Sequence, residues 1–213
     1  MMADPRSRIV RHSMRHRMRR IRRRTTALVS LALLAMGCEG GPLRGVAYDP
    51  PKPLPVFEFT RANGAALSTK PAKDDLMVFF FGYTHCPDVC PTTLSDWKRV
   101  KARLGSDSAR VQFVFVTVDP ERDTPEVAQQ YASQFDPSFI GVSGDSATTA
   151  QIQQAFGVAS IRDAGAVDSA ASAEYLVSHS SQSFVVDGEG RLVSMYSFGS
   201  GWDALLDDLR RML

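Results

Sequence analysis

Leu76-Met-Val-Phe-Phe-Phe-Gly-Tyr-Thr-His-Cys-Pro-Asp-Val-Cys-Pro-Thr-Thr-Leu94 carries the reading of the fold. Leu76 to Phe81 is a continuous apolar run, the mark of a strand buried on both faces. Thr92 to Leu104 has helical spacing, with Leu94, Trp97, Val100 and Leu104 on one stripe. Between strand and helix lie Cys86 and Cys90, each followed by a proline, which disfavours the αR conformation for both. The pair therefore belongs to a loop, with Pro91 suited to the first helical position and Cys90 to the N-cap. Such a loop lies at the carboxyl edge of a sheet, where α/β folds hold their sites.

Downstream, strand-like and helix-like segments alternate. Val111 to Val118 is the next buried strand, rich in β-branched and aromatic residues. Asp123-Thr-Pro-Glu126 opens a helix, with a cap, a proline near the first position and an acid in the first turn. Phe139–Val142 is a short strand, Ala147–Phe156 a helix, and 162–173 a small-residue loop. Tyr175-Leu-Val177 opens a strand. Ser183–Val186 and Arg191–Tyr196 flank Asp187-Gly-Glu-Gly190, a hairpin signal, and a helix closes the chain from Trp202 to Leu213. Upstream, Val56–Phe59 alternates like a short strand. The pattern predicts a three-layer α/β domain with a mixed central sheet.

The first 37 residues read as an address. Arg19 to Arg24 is a basic cluster, followed by the apolar run Ala27–Met36 and then Gly37-Cys38, the order of a secretory signal peptide. As a helix that run spans about 15 Å, roughly half the hydrocarbon thickness. Leu34-Ala-Met-Gly-Cys38 resembles a bacterial lipobox, which implies cleavage before Cys38 and lipidation of its sulfur. Residues 38–55 hold five prolines and three glycines without an apolar period, the composition of an extended tether. The folded domain is thus expected over 56–213, outside the cytoplasm on the periplasmic face and held to the membrane by the lipid.

The chain of 213 residues has 25 Lys and Arg, 23 Asp and Glu, 44% hydrophobic side chains and three cysteines. Ten of the arginines precede Thr25, so residues 38–213 carry 15 basic against 22 acidic residues, a net −7. The body is acidic, which sets a nucleic-acid partner aside. Three cysteines do not make a disulfide-stapled mini-protein.

With Cys38 assigned to export, the chemistry rests on Cys86, Cys90, His85 and His179. Thiolates at a helix N-terminus are favoured by the dipole, so a lowered thiol pKa is expected. From the residues alone, a structural disulfide and a thiolate site both stand. A staple over a three-residue gap gains little, because closure stabilisation grows with loop length.

Phe80–Leu94 resembles the Sco/SenC family of copper-binding proteins. The likeness continues through Val118-Asp-Pro-Glu-Arg-Asp-Thr-Pro125, Phe139-Ile-Gly-Val-Ser-Gly144 and Tyr175-Leu-Val-Ser-His179, in family order. The resemblance implies a thioredoxin-like fold and one copper per chain, as Cu(I) or Cu(II), bound by Cys86, Cys90 and His179. One departure is Ser178, where an acidic residue is often found. Two thiolates and an imidazole suit Cu(I), hold Cu(II) with a fourth donor, and would also accept zinc. His85 is expected to point away. Asp119 is a candidate second-shell support for the copper loop, with turn and helix-cap roles the plainer reading of Asp119 and Asp123. Met77 and Met195 are expected in the core.

The family's task, delivery of copper to the dinuclear centre in subunit II of cytochrome c oxidase, is the function that the resemblance implies. A thiol–disulfide oxidoreductase acting on the oxidase cysteines through the Cys86–Cys90 redox disulfide is the alternative. Against a general disulfide enzyme stand the C-x3-C spacing and the absence of any proline after Pro137. No catalytic residue is assigned.

Overall fold

Ten strands and four α-helices are described in a computed structural model covering residues 41–163 and 175–213. They run β1 Val46–Pro53, β2 Glu58–Thr60, β3 Ala66–Ser68, β4 Leu76–Gly82, α1 Val89–Leu104, a 3-10 turn Gly105–Arg110, β5 Val111–Thr117, α2 Pro125–Ser133, β6 Ile140–Val142 and α3 Ser146–Phe156. After these come β7 Ser160–Arg162, β8 Val177–His179, β9 Gln182–Val186, β10 Arg191–Ser197 and α4 Trp202–Met212. The expected signal segment 1–37, Cys38 and the centre of the 162–173 loop lie outside the described residues.

The main sheet has the order β1-β10-β9-β4-β5-β6. β4, β5 and β6 run parallel to one another, β9 pairs antiparallel with β4, and β10 pairs antiparallel with β9. This is the mixed sheet of a thioredoxin-like fold, as expected. Alternation along β4 builds the layers. Phe80 points to Trp97 of α1 (ring centroids 6.1 Å apart), whereas Phe79 and Phe81 point to Phe156 of α3 (5.2 and 5.1 Å). Period 2 thus sends successive aromatics to opposite helical layers, and a continuous apolar run is the result. Phe115 reaches Tyr131 of α2 on the Phe80 side, where Gly141 of β6 lets the Ala128 backbone approach so closely that a Cβ has no room.

Two helix starts are capped by side chains, the first where the sequence signals it. Thr124 caps α2 by accepting from Val127 N–H at 3.3 Å with Pro125 at the first position, and Asp145 caps α3 by accepting from Thr148 N–H at 2.6 Å. Met77 is fully buried and Met195 partly so, both against the core.

The expected tether needs correction. Residues 46–53 form the edge strand β1, paired antiparallel with β10 through Val46–Met195, Ala47–Ser194, Lys52–Leu192 and Pro53–Arg191. The prolines fit because an edge strand pairs on one side only and its register breaks between Ala47 and Lys52. The chain is pinned just before β1. Asp208, fully buried on α4, accepts from the backbone N–H groups of Arg44 (2.7 Å) and Gly45 (2.9 Å) and from the Tyr196 hydroxyl (2.9 Å). Residues from Leu43 onward form one compact unit, so the domain starts well before Val56. The strand expected at Val56–Phe59 is displaced to β2, which pairs only with β3 in a small separate hairpin.

Candidate metal centre

The loop between β4 and α1 leaves the sheet at the carboxyl ends of its parallel strands. Two features hold it there. Gly82 ends β4 directly under Cys90, and a Cβ at this position would lie 2.7 Å from the Cys90 Sγ. The Cys86 N–H then donates to the Tyr83 carbonyl at 3.3 Å, closing a tight turn.

Helix α1 begins earlier than the proline rule implies. Asp88, not Cys90, holds the N-cap position, and Cys90 lies in the first turn. Pro91 is tolerated because first-turn N–H groups have no intrahelical acceptor to lose. No side chain caps this helix in the usual way. Instead the Cys90 N–H points at the Cys86 Sγ, 3.4 Å away, so a sulfur takes one of the free donors at the helix start.

His179 arrives on β8, paired with β7 (Ser160 opposite His179) in a two-stranded ribbon outside the main sheet. Its Nε2 lies 3.5 Å from the Cys90 Sγ. Its Nδ1 lies 2.9 Å from the Ser180 carbonyl, which only accepts, so Nδ1 donates there and Nε2 is the nitrogen that faces the sulfurs. Phe80 and Tyr83 stand edge-on to the imidazole, each 5.9 Å between centroids. The ligand atoms of Cys86, Cys90 and His179 all lie within 4.8 Å of one another.

Both cysteines are free thiols. Cys90 is fully buried and Cys86 is half-buried. Their acidities split. The hydrogen bond from the Cys90 thiol, helped by His179 and the backbone N–H groups at the helix start, lowers Cys86 to about 3 against the opposing effect of burial. Its role as donor to Cys86, together with burial, pushes the Cys90 thiol up. The half-buried sulfur is thus the more acidic of the pair.

The remaining expected residues separate. His85 is exposed and directs Nδ1 to the Thr84 hydroxyl, 3.1 Å away, outside the donor cluster. Asp119 does not reach the cysteine loop. It accepts from the Tyr175 hydroxyl at 2.6 Å and from Arg122, whose guanidinium lies 3.6 Å from the Tyr175 ring centroid and donates to the Tyr175 carbonyl at 3.0 Å. Asp119 therefore ties down the stretch leading into the His179 strand. The carboxylate that braces the cysteine loop is Asp123, which is fully buried and accepts from the Thr84 N–H at 2.9 Å. Asp123 is thus no helix cap; Thr124 fills that role. Ser178 turns away from His179 by strand alternation and donates to Asp163 at 3.1 Å.

Gly82, Tyr83 and Thr84 went unread as site residues, although each adjoins the cysteine motif. Asp123, 39 residues from Thr84, had only the signal of an acid beside a strand end.

Two soft sulfurs and one borderline nitrogen suit Cu(I), and Cu(II) with a further donor. Residues 48–213 match the SCO1/SenC family. The chain belongs to this family. Its similarity to an SCO2-like protein of Rickettsia conorii is 30% identity over 154 residues, covering 72% of this chain and 74% of the relative. The solved apo Sco1 of Thermus thermophilus is 40% identical with a TM-score of 0.71, covering 82% of this chain and all of that one. Bradyrhizobium japonicum ScoI, solved with copper bound, is 35% identical with a TM-score of 0.66, covering 76% and 99%.

Proposed function

We propose that this chain is a copper carrier that binds one copper through Cys86, Cys90 and His179 and delivers it to the dinuclear copper centre of cytochrome c oxidase subunit II. The observation that carries the reading is the convergence of these three donors within 4.8 Å, although His179 follows Cys90 by 89 residues. Copper-bound ScoI of Bradyrhizobium japonicum supports the metal, and the description of the Sco family as cytochrome c oxidase assembly proteins supports the destination. The geometry suits a cargo rather than a permanent cofactor. Cys90 and His179 are packed against Gly82, Phe80 and Tyr83, whereas Cys86 is half-exposed on a loop. An incoming thiolate can therefore replace Cys86 first and take the metal by ligand exchange.

The deciding experiment is His179→Ala in cells, with copper titration of the purified chain. Loss of the imidazole leaves two thiolates, so stable Cu(II) binding and oxidase maturation are both expected to fail while thiol–disulfide exchange continues. Normal oxidase maturation together with lost copper binding would overturn the carrier reading.

That outcome would favour the second reading, a reductase of the oxidase cysteines. A specific feature supports it: Cys86 is the more exposed sulfur and accepts from the Cys90 N–H at the helix start, which favours its thiolate, while Cys90 is buried, the arrangement of an attacking and a resolving thiol. The two roles are compatible, because copper binding itself requires reduced cysteines.

The carrier is placed on the outer face of the membrane through cleavage before Cys38 and lipidation there. Among the described residues no helix is long and apolar enough to cross a membrane. Mass spectrometry of the exported protein is expected to show a lipidated Cys38 as the first residue; an unmodified Cys38 or a retained 1–37 segment would reject the anchor.

A further inference from the structure

The Asp123 carboxylate is a buried acceptor ringed by neutral donors. Its Oδ2 accepts from the Thr84 N–H at 2.9 Å and from the Thr117 hydroxyl at 2.7 Å, and its Oδ1 from the Thr84 hydroxyl at 2.6 Å. Among the described residues no Lys or Arg pairs with it, and the basic side chain that approaches is exposed His85, at 3.9 Å. Asp119, equally buried four residues earlier, is by contrast neutralised by Arg122 and approached by Arg162. A buried carboxylate without a cation is costly to keep, so its retention beside this loop calls for a role.

We propose that Asp123 is a positioning residue that holds the cysteine loop through Thr84 and, as a buried negative charge, biases the centre toward Cu(II) over Cu(I). The inference rests on the copper reading above. Positioning follows from the chain: Thr84 is two residues before Cys86, and the turn between them is closed by the Cys86 N–H to Tyr83 carbonyl bond. Two backbone-adjacent bonds to one carboxylate thus set where the Cys86 sulfur stands. The bias follows from charge. Two thiolates and a neutral imidazole leave a centre of −1 with Cu(I) and of zero with Cu(II), and a nearby anion favours the form with the extra positive charge. At an effective dielectric of ~20, a unit charge roughly 10 Å away changes affinity by about tenfold. Asp123 stands close to the cysteine loop, bonded to both the N–H and the hydroxyl of Thr84, two residues before Cys86.

Asp123→Asn separates charge from geometry. With its carbonyl oxygen in the Oδ2 position, asparagine still accepts from the Thr84 N–H and the Thr117 hydroxyl, while its NH2 donates to a Thr84 hydroxyl that rotates to accept. Thr84→Val does the reverse, keeping the charge and removing one strut. On the full chain, reduced and metal-free at the start, Cu(I) and Cu(II) affinities are measured separately by chelator competition, with metal-free thermal unfolding to check the fold. Asp123→Asn is expected to lower Cu(II) affinity about tenfold relative to Cu(I), equivalent to an upward shift of the copper couple by about 59 mV. Thr84→Val is expected to weaken both forms by a similar factor and leave their ratio unchanged. An equal fall of both affinities in Asp123→Asn overturns the charge bias, and unchanged affinities in Thr84→Val overturn the brace. If Asp123→Asn does not fold without metal, the isosteric argument is wrong, and Thr84→Val alone decides the brace. Failure of the unsubstituted chain to bind copper would instead sink the copper reading and leave the brace untouched.

Discussion

Replacing Cys90 with Ser is expected to abolish tight copper binding, lowering affinity more than roughly 100-fold, since loss of a mere outer-shell partner already costs 10–100-fold at metal sites. A hydroxyl is a hard donor that stays protonated, so the substitution removes both the softness and the negative charge that hold Cu(I). Cys90 is fully buried, with its sulfur against Gly82 and 3.5 Å from the His179 Nε2, and among the described residues Cys86, itself a ligand, is the one other thiol. Cys86→Ser is expected to have the same consequence, with less effect on the fold because Cys86 is half-exposed. The check is competition of the reduced variants against a Cu(I) chelator, with circular dichroism to confirm the fold. A Cys86→Ser, Cys90→Ser double variant that keeps one copper with undiminished affinity would remove these residues from the site.

Trp97→Ala is expected to destabilise the domain by about 3–5 kcal/mol, the usual cost of deleting a large buried aromatic. Trp97 lies on α1, 1% exposed, and packs against Phe80, Phe113 and Phe139 from three strand-linked segments. Its indole N–H donates to the Ser183 hydroxyl at 3.1 Å, so truncation also leaves a buried polar group without its partner. For a domain of this size each kcal/mol lowers Tm by about 2–4 °C, so a fall near 10 °C or more is expected in thermal unfolding. A loss below about 1 kcal/mol in denaturant titration would show that the layer between α1 and the sheet is not the core inferred here. The same helix carries Cys90, and loosened packing should therefore weaken copper binding as well.

The apolar run of β4 announced its own burial, because Phe79, Phe80 and Phe81 would be untenable with either face in water. The hairpin β9–β10 was equally plain from Asp187-Gly-Glu-Gly190, where Asp187 takes the Arg191 N–H and side chain. The helix cap in Asp123-Thr-Pro-Glu126 was readable because a cap acts over three residues, and Thr124 fills it. The displaced cap of α1 was not, since its free donor is met by a sulfur four residues back rather than by a side-chain oxygen at the N-cap.

What the sequence determined by itself was whatever acts within one element: strand and helix periods, the turn, one helix cap and a pair of thiols at a helix start. The resemblance added His179 as a ligand, but only the topology carried it across 89 residues to Cys90. Tertiary structure alone decided the rest. Asp208 on the last helix captures the backbone at Arg44 and Gly45, turning a proline-rich stretch into an edge strand. Asp123 rather than Asp119 braces the cysteine loop because the β5–α2 connection lays its end, not its beginning, beneath Thr84. Periodicity and capping are local energies and are written in neighbouring residues. A buried carboxylate is aimed by the register of parallel strands, and that register is a property of the packed sheet.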